Sequence, residues 1–243
     1  MHNNLNILNS VRIVLCNTSH NGNIGSTARA MKTMGIYNLT LVSPQVLPDD
    51  HSIALASNAK DVVENATILS NLNEAISDTT LAVALTARRR EYNQDLMNPR
   101  QIMPEVLDTL QKGEKVAFVF GTEKSGLTIE QLELCNRMVT IPGNPQYFSL
   151  NLAQAVQIIC YEVYSNLDSN LSHLMNEVKQ ATIADNIGIL NHLDKILLKL
   201  NYYKNKNHEI TLRRLRNVIH RARLEREDVD LIRGILKRLE SNI

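Results

Sequence analysis

Three short stretches hold the residues best able to do chemistry: Asn23-Ile-Gly25-Ser-Thr-Ala28-Arg29, Gly121-Thr-Glu123-Lys-Ser-Gly126-Leu127 and Ser149-Leu150-Asn151. Each joins a charged or hydrogen-bonding side chain to a glycine-rich loop or a helix start. Arg29 is a permanent cation able to steady a developing alkoxide or bind a neighbouring phosphate. Losing one such preorganised donor typically costs ~3 kcal/mol of barrier. Asn23 can orient that cation or a substrate. Glu123 is a lone acid beside Gly121. Ser149 and Asn151 stand where a helix begins, so the backbone N–H groups there can also bind ligand oxygens. Each has a plain structural alternative: a surface arginine, a turn asparagine, a solvated acid and two helix caps. His20, in a polar loop, reads as surface.

The elements that must position these side chains are legible from apolar periodicity. Val11-Arg-Ile-Val-Leu-Cys16, Leu39-Thr-Leu-Val-Ser43, Leu81-Ala-Val-Ala-Leu85, Val116-Ala-Phe-Val-Phe120 and Met138-Val-Thr-Ile141 read as strands. Residues 17–24 read as a loop leading into a helix over 28–34, which Gly35 closes at a C-cap position. Asp50 is a cap for a short helix over 51–57, and 71–77 is another. Asn98-Pro99 starts a helix running to Gly113, and Thr128 opens one with Gln131 at capping-box spacing. Pro142-Gly143-Asn144-Pro145 is too rich in breakers for regular structure. The helix after Asn151 carries Leu152, Val156, Ile159 and Val163 on one stripe, either core or a subunit interface. The alternation predicts a mostly parallel sheet covered on both faces, with a ligand at the carboxyl ends of its strands.

At 243 residues the chain has room for one ordinary domain plus a smaller one. A hydrophobic content of 44% is that of a globular protein. Met1 to Ser10 lacks the basic region and apolar run of a secretory signal, and no apolar stretch approaches the roughly 20 residues of a membrane span. Cys16, Cys135 and Cys160 are odd in number and far apart, which fits reduced thiols in a cytoplasm and neither disulfides nor a zinc site. The seven histidines form no ligand spacing, so no metal is expected. A formal net charge of +1 hides a division: residues 187–243 hold 13 Lys and Arg against 7 Asp and Glu, residues 1–186 hold 13 against 18. A basic tail on a mildly acidic body suggests a polyanionic partner, with a solvated helical surface as the bland alternative. The expected division is an α/β domain over 1–167, a polar linker over 168–186 and a helical unit over 187–243. Within that unit, 187–203 is amphipathic, 204–209 a loop, and 212–239 a long helical stretch interrupted near Glu227-Asp228.

Asn-x-Gly-x-x-x-Arg at 23–29, Gly-x-Glu-x-x-Gly-Leu at 121–127 and Ser-Leu-Asn-Leu-Ala at 149–153 resemble, in that order, the three motifs of the SpoU/TrmH family of RNA 2'-O-ribose methyltransferases, part of the SPOUT superfamily. One such match is weak; three together, each at a strand end or helix start, are specific. The resemblance implies a SPOUT α/β fold: a mostly parallel sheet covered by helices, tied in a deep trefoil knot from about Gly121 onward, here with a small C-terminal all-α extension. Periodicity alone would draw an unknotted Rossmann-like sheet. The resemblance also implies S-adenosylmethionine as methyl donor, released as S-adenosylhomocysteine, with no metal. Its binding loops would be Leu85-Thr86-Ala87, Gly121, Ile141-Pro142-Gly143 and Ser149-Leu150-Asn151. Arg29, Asn23, Glu123, Ser149 and Asn151 would form the catalytic centre of a homodimer whose sites lie at the interface. Methyl transfer from a sulfonium is a direct displacement that needs mainly alignment.

Arg88, Arg89 and Arg90, at the rim of the expected pocket, are placed for phosphates. In the tail, Arg213, Arg214, Arg216, Arg221 and Arg223 are candidates for RNA contact, with Tyr202 and Tyr203 the only aromatics for stacking. Thr18-Ser-His-x-Gly-Asn-Ile-Gly-Ser, Ala30-Met-Lys-Thr-Met-Gly35 and Asn144-Pro-x-Tyr-x-Ser-Leu-Asn-Leu are similar to a branch of the family that acts on tRNA, at the ribose of cytidine or uridine 32 of the anticodon loop. The competing readings are a related enzyme for ribosomal RNA or another tRNA site, and a catalytically silent RNA-binding protein. An ordinary nucleotide-dependent Rossmann enzyme would need a Gly-x-Gly-x-x-Gly that the chain lacks.

Overall fold

The computed structural model describes residues 7–87, 96–147, 149–167, 180–204 and 207–242. Seven strands form one parallel sheet in the order β3-β2-β1-β6-β4-β7-β5. They are β1 (Val11–Cys16), β2 (Asn38–Val42), β3 (Thr67–Leu69), β4 (Leu81–Leu85), β5 (Leu96–Met97), β6 (Val116–Phe120) and β7 (Arg137–Val139). The helices of the body are α1 (Asn21–Thr33), α2 (Asp50–Ala56), α3 (Lys60–Glu64), α4 (Leu72–Ile76), α5 (Pro99–Gln111), α6 (Ile129–Leu134) and α7 (Leu152–Leu167). The tail adds α8 (Ile183–Lys199), α9 (His208–Ala222) and α10 (Arg226–Glu240).

Because a strand alternates its side chains between faces, β1, β4 and β6 each divide between two cores. Val11, Ile13, Leu15, Leu81, Val83, Val116, Phe118 and Phe120 join the larger core, under α1, α5 and α7. Val14, Cys16, Ala82, Ala84, Ala117 and Val119 join the smaller one, under α4 and α6. The small side chains of that second face leave room for Ile183, the first residue of α8, which is fully buried there.

Several boundaries differ from the sequence reading. The first helix begins at Asn21, inside the stretch expected to be a loop. Its glycines serve helix packing and not a turn: a Cβ on Gly25 would lie 2.0 Å from the Ser52 carbonyl oxygen, so the backbones of α1 and α2 approach this closely only because residue 25 is glycine. Asp49, not Asp50, caps α2, in a reciprocal pair with Ser52. The strands β3 and β5 were not expected, being too short to show periodicity. The stripe Leu152, Val156, Ile159, Val163 is core against the sheet and α1, so it is no subunit interface. Helix α8 starts at Ile183, within the stretch read as linker, through a Thr182–Asp185 capping box. The break in the long tail pattern falls at Arg223, which closes α9 with φ +48°, four residues before the expected interruption.

The tail is seated on the body. The Ile183 N–H donates to the Thr79 carbonyl at 2.9 Å and the Gln180 N–H to Glu114 Oε1 at 2.7 Å. Its own small core joins Ile189 and Ile196 of α8 to Val229 and Leu236 of α10.

Candidate active site

The three motifs converge. Strand β1 delivers the loop 17–20 and the first turn of α1. Strand β6, its immediate neighbour, delivers the loop 121–127. The start of α7 arrives alongside. Glu123 sits at the junction and accepts four hydrogen bonds: from Thr18 Oγ1 at 2.7 Å, Ser19 Oγ at 2.9 Å, the Ser19 N–H at 3.1 Å and Asn23 Nδ2 at 2.9 Å. Asn151 Nδ2 donates at 3.0 Å to the oxygen of the same Asn23 amide, while Asn151 Oδ1 accepts from the Ala153 N–H at 2.9 Å and so caps α7. Asn23 thus bridges the acid and the cap. Burial alone would raise the Glu123 pKa. The Asn23 amide, the residue's own N–H, and the Thr18 and Ser19 donors outweigh it and hold the carboxylate at about 2. With its acceptor sites filled and its charge fixed, Glu123 is suited to holding the loops together and unsuited to taking a proton.

Glycines shape the second motif. A Cβ on Gly121 would lie 2.1 Å from the Gly126 carbonyl carbon, because residues 122 and 126 pair across a tight loop that folds back over it. Gly126 itself has φ +71°, the left-handed region that glycine adopts without strain.

Against this loop lies a cavity of about 340 Å³, within the usual range of small-molecule sites. The ends of three adjacent strands contribute Leu85, Phe120 and Ile141, and the loops contribute Thr86, Ala87, Gly121 and Glu123, while Ser149, Leu150 and Leu152 close the far wall. Of the residues expected to bind a cofactor, Leu85, Thr86, Ala87, Gly121, Ile141, Ser149 and Leu150 line this cavity; Pro142, Gly143 and Asn151 do not. Sequence reasoning missed Thr122, Lys124 and Ser125, which also line it. Their signal was position inside the second motif, since nothing in their types announces a ligand.

On the other side of Asn23 runs an open groove of about 660 Å³, lined by Ser19, His20, Gly22, Ser26, His51 and Asn151 among others. Arg29 lines neither hollow. It is exposed on α1 and bonds to no other described residue. Arg88, Arg89 and Arg90 lie outside the described residues. Three of the five tail arginines face the body: Arg213 and Arg216 pair with Glu133 at 2.8 and 2.7 Å, and Arg223 lies 3.5 Å from Glu105. Arg214 and Arg221 point away from it. Among the described residues, no group of His, Cys, Asp or Glu is placed to hold a metal ion, and no helix is long and apolar enough to cross a membrane.

Known proteins match along nearly the whole chain. The sequence model of the SpoU rRNA Methylase family matches residues 10–161, and that of the tRNA methyltransferase TrmJ C-terminal domain matches 185–243. The tRNA (cytidine/uridine-2'-O-)-methyltransferase TrmJ of Escherichia coli K12 is 40% identical over 239 residues, covering 96% of this chain and 96% of the relative. The crystal structure of TrmJ from Z. mobilis ZM4 superposes with TM-score 0.80 at 29% identity, covering 94% of this chain and 98% of that one. A methylase family protein from Neisseria gonorrhoeae superposes with TM-score 0.71 at 47% identity, covering 77% of this chain and 95% of the other.

Proposed function

The chain belongs to the SpoU rRNA Methylase family, and from its likeness to the TrmJ relatives along nearly its whole length we infer that it is a tRNA (cytidine/uridine-2'-O-)-methyltransferase. It moves a methyl group from S-adenosylmethionine to a ribose 2'-hydroxyl, and its target is pyrimidine 32 of the anticodon loop. The observation that carries this reading is the Glu123–Asn23–Asn151 chain of hydrogen bonds, which stands between the cavity and the more open groove.

The cavity suits the methyl donor. Its walls are apolar side chains and main-chain loops at the carboxyl ends of β4, β6 and β7, which fit an adenine and its ribose; the hydroxyls of Thr86, Thr122, Ser125 and Ser149 fit the polar end. When bound, the sulfonium supplies an electrophilic methyl group. The acceptor ribose enters from the groove, where Asn23 and Asn151 fix its approach. Glu123 is a positioning residue that keeps the loops of the three motifs in register. Arg29 binds the phosphate beside the target ribose or steadies the alkoxide as the 2'-hydroxyl loses its proton.

Arg29 does not line the cavity of its own chain, which supports a homodimer in which each arginine serves the partner's donor site. The knotted threading of the family is carried over with the fold. The basic tail and Arg88, Arg89 and Arg90 contact tRNA phosphates. Incubation of purified protein with labelled S-adenosylmethionine and unmodified tRNA, followed by nucleoside mapping, tests the reading. Methylation at ribose 32 is expected; absence of transfer to any tRNA would overturn it.

A further inference from the structure

The arginines of α9 divide between two opposite faces. Arg213, Arg216, His220 and Arg223 recur at helical spacing on the face against the body. There Glu133, its side chain only 16% exposed, accepts a hydrogen bond from Arg216 Nη1 at 2.7 Å and forms an ion pair with Arg213 Nε, 2.8 Å away. Glu105 receives Arg137 Nε at 3.0 Å and lies 3.5 Å from Arg223. Between these two acids His220 is buried, and its carbonyl accepts from Arg137 at 3.2 Å. On the outward face, Ile210, Arg214, Val218 and Arg221 follow one another by about a turn each. Ile210 and Val218 are 48% and 54% exposed. Neither Arg214 nor Arg221 meets a carboxylate among the described residues; Arg221 reaches only the Asn217 carbonyl of its own helix, at 3.3 Å.

Glu133 is placed to do more than hold the tail. It lies in the last turn of α6, a helix of under two turns that hangs from the cavity loop 121–127 through the Thr128–Gln131 capping box. Gln131 Nε2 also donates to Asn17 Oδ1 at 3.0 Å, which ties α6 to the loop after β1. A continuous run of contacts therefore links the cavity wall to α9.

We propose that Glu133 is a positioning residue that locks α9 to the cavity loop through Arg213 and Arg216, leaving the outward stripe of Arg214 and Arg221 to carry tRNA phosphates. This rests on the tRNA methyltransferase reading and says which tail arginines touch RNA and which do not. The outward pair stands two turns apart, about 10 Å along the helix, within reach of separate phosphates, and the exposed Ile210 and Val218 on the same stripe pack against sugar faces. The inward arginines are already neutralised, so releasing them to RNA would leave Glu133 as a nearly buried, unpaired charge, which is strongly unfavourable.

The test uses the full chain and unmodified tRNA, with binding measured across a salt series and steady-state methylation measured in parallel. Arg214→Ala and Arg221→Ala are each expected to flatten the plot of log affinity against log salt by ~0.7–0.9. Each should also raise KM for tRNA severalfold at unchanged kcat. Arg216→Ala and Glu133→Gln are expected to keep the wild-type salt slope and to lower kcat severalfold at saturating tRNA, with S-adenosylhomocysteine affinity retained. The same two variants should show faster amide exchange in α6 and α9, which Arg214→Ala should not. A slope flattened by Arg216→Ala as much as by Arg214→Ala, or left alone by all four variants, overturns the division. If the unaltered protein methylates no tRNA, the functional reading itself fails, which is a separate result.

Discussion

The Asn23 amide donates to Glu123 Oε1 at 2.9 Å, joining the first turn of α1 to the loop after β6 across 100 residues of sequence. Asn151 holds the other end of that amide at 3.0 Å, so no two of the three motifs can shift without the third. Replacing Glu123 with Gln leaves one acceptor oxygen and turns an N–H₂ toward donors that previously had a partner. A buried donor left unpaired costs about 1–3 kcal/mol, or roughly 2–12 °C in Tm for a chain of this size. Glu123→Gln is expected to melt lower and to methylate at least about tenfold more slowly. Wild-type turnover in this variant would remove Glu123 from the machinery.

The same residue sets a pH expectation. Its folded pKa, about 2, lies below the ordinary 4.5, so its contribution is complete above pH about 4.5 and fades as pH falls toward 2. Glu123 therefore imposes no limb on the rate profile between about pH 5 and 8. An acid limb near neutrality that disappears in Glu123→Gln would contradict this.

Arg29 is exposed and bonds to no described neighbour, so its removal should leave the fold alone. Arg29→Ala is expected to lose about 100- to 1000-fold in kcat while binding S-adenosylhomocysteine and melting as the unaltered protein does. If each arginine serves the partner's cavity, an equimolar mixture of Arg29→Ala and Gly121→Val chains, exchanged into dimers, should recover roughly a quarter of wild-type activity. Half the dimers would be mixed, each with one intact site. No recovery would show the arginine acting within its own chain.

His220 is 5% exposed, and burial, then the Arg216 and Arg137 cations, push its pKa down to about 4. The unfolded chain binds this proton below about pH 6.5 and the folded chain does not, so stability rises with pH between about 4 and 6.5 and falls as acid is added. The full effect is at most roughly 3 kcal/mol. A comparison of melts at pH 4.5 and 7 should show a smaller difference for His220→Leu than for the unaltered protein; an equal difference would place the titration elsewhere.

Two glycines of α1 separate close packing from mere proximity. At Gly25 a Cβ would meet the Ser52 backbone oxygen at 2.0 Å, which cannot move without α2; at Gly22 it would meet the tip of Leu55 at 2.9 Å, which can turn aside. Gly25→Ala should destabilise by about 1–3 kcal/mol and Gly22→Ala by clearly less. Equal melting temperatures would mean that the helix pair has slack that the structure does not show.

Much of this was legible in the sequence because β1, β4 and β6 are short runs largely apolar on both faces that alternate with helical stretches, the pattern of a covered parallel sheet. The helix starts at Asn98-Pro99, from proline at the first helical position, and at Thr128, from Gln131 at capping-box spacing, are legible in the sequence, and both helices begin there. The start of α1 was misread because Gly22 and Gly25 signal a turn locally, whereas their reason is a neighbouring helix that local sequence does not contain. Thr18 and Ser19 show in the sequence as motif residues but not as partners of Glu123, because a hydrogen bond across more than 100 residues leaves no periodic trace. The division of the tail arginines was hidden likewise: Glu133 and Glu105 lie far upstream, and composition counts a paired arginine and a bare one alike.

The pairing of Val11 with Val116 has a consequence for how the molecule is made. Strand β1 leaves the ribosome shortly before β2 and pairs with it at once, but its other edge waits for a partner roughly 70 residues further on, some 4–15 s at ordinary rates of synthesis. Through that interval the nascent chain displays an apolar, unpaired strand edge, the kind of template on which sheets join the wrong neighbour. Nascent chains stalled before residue 116 should therefore be the form of this protein most dependent on chaperones.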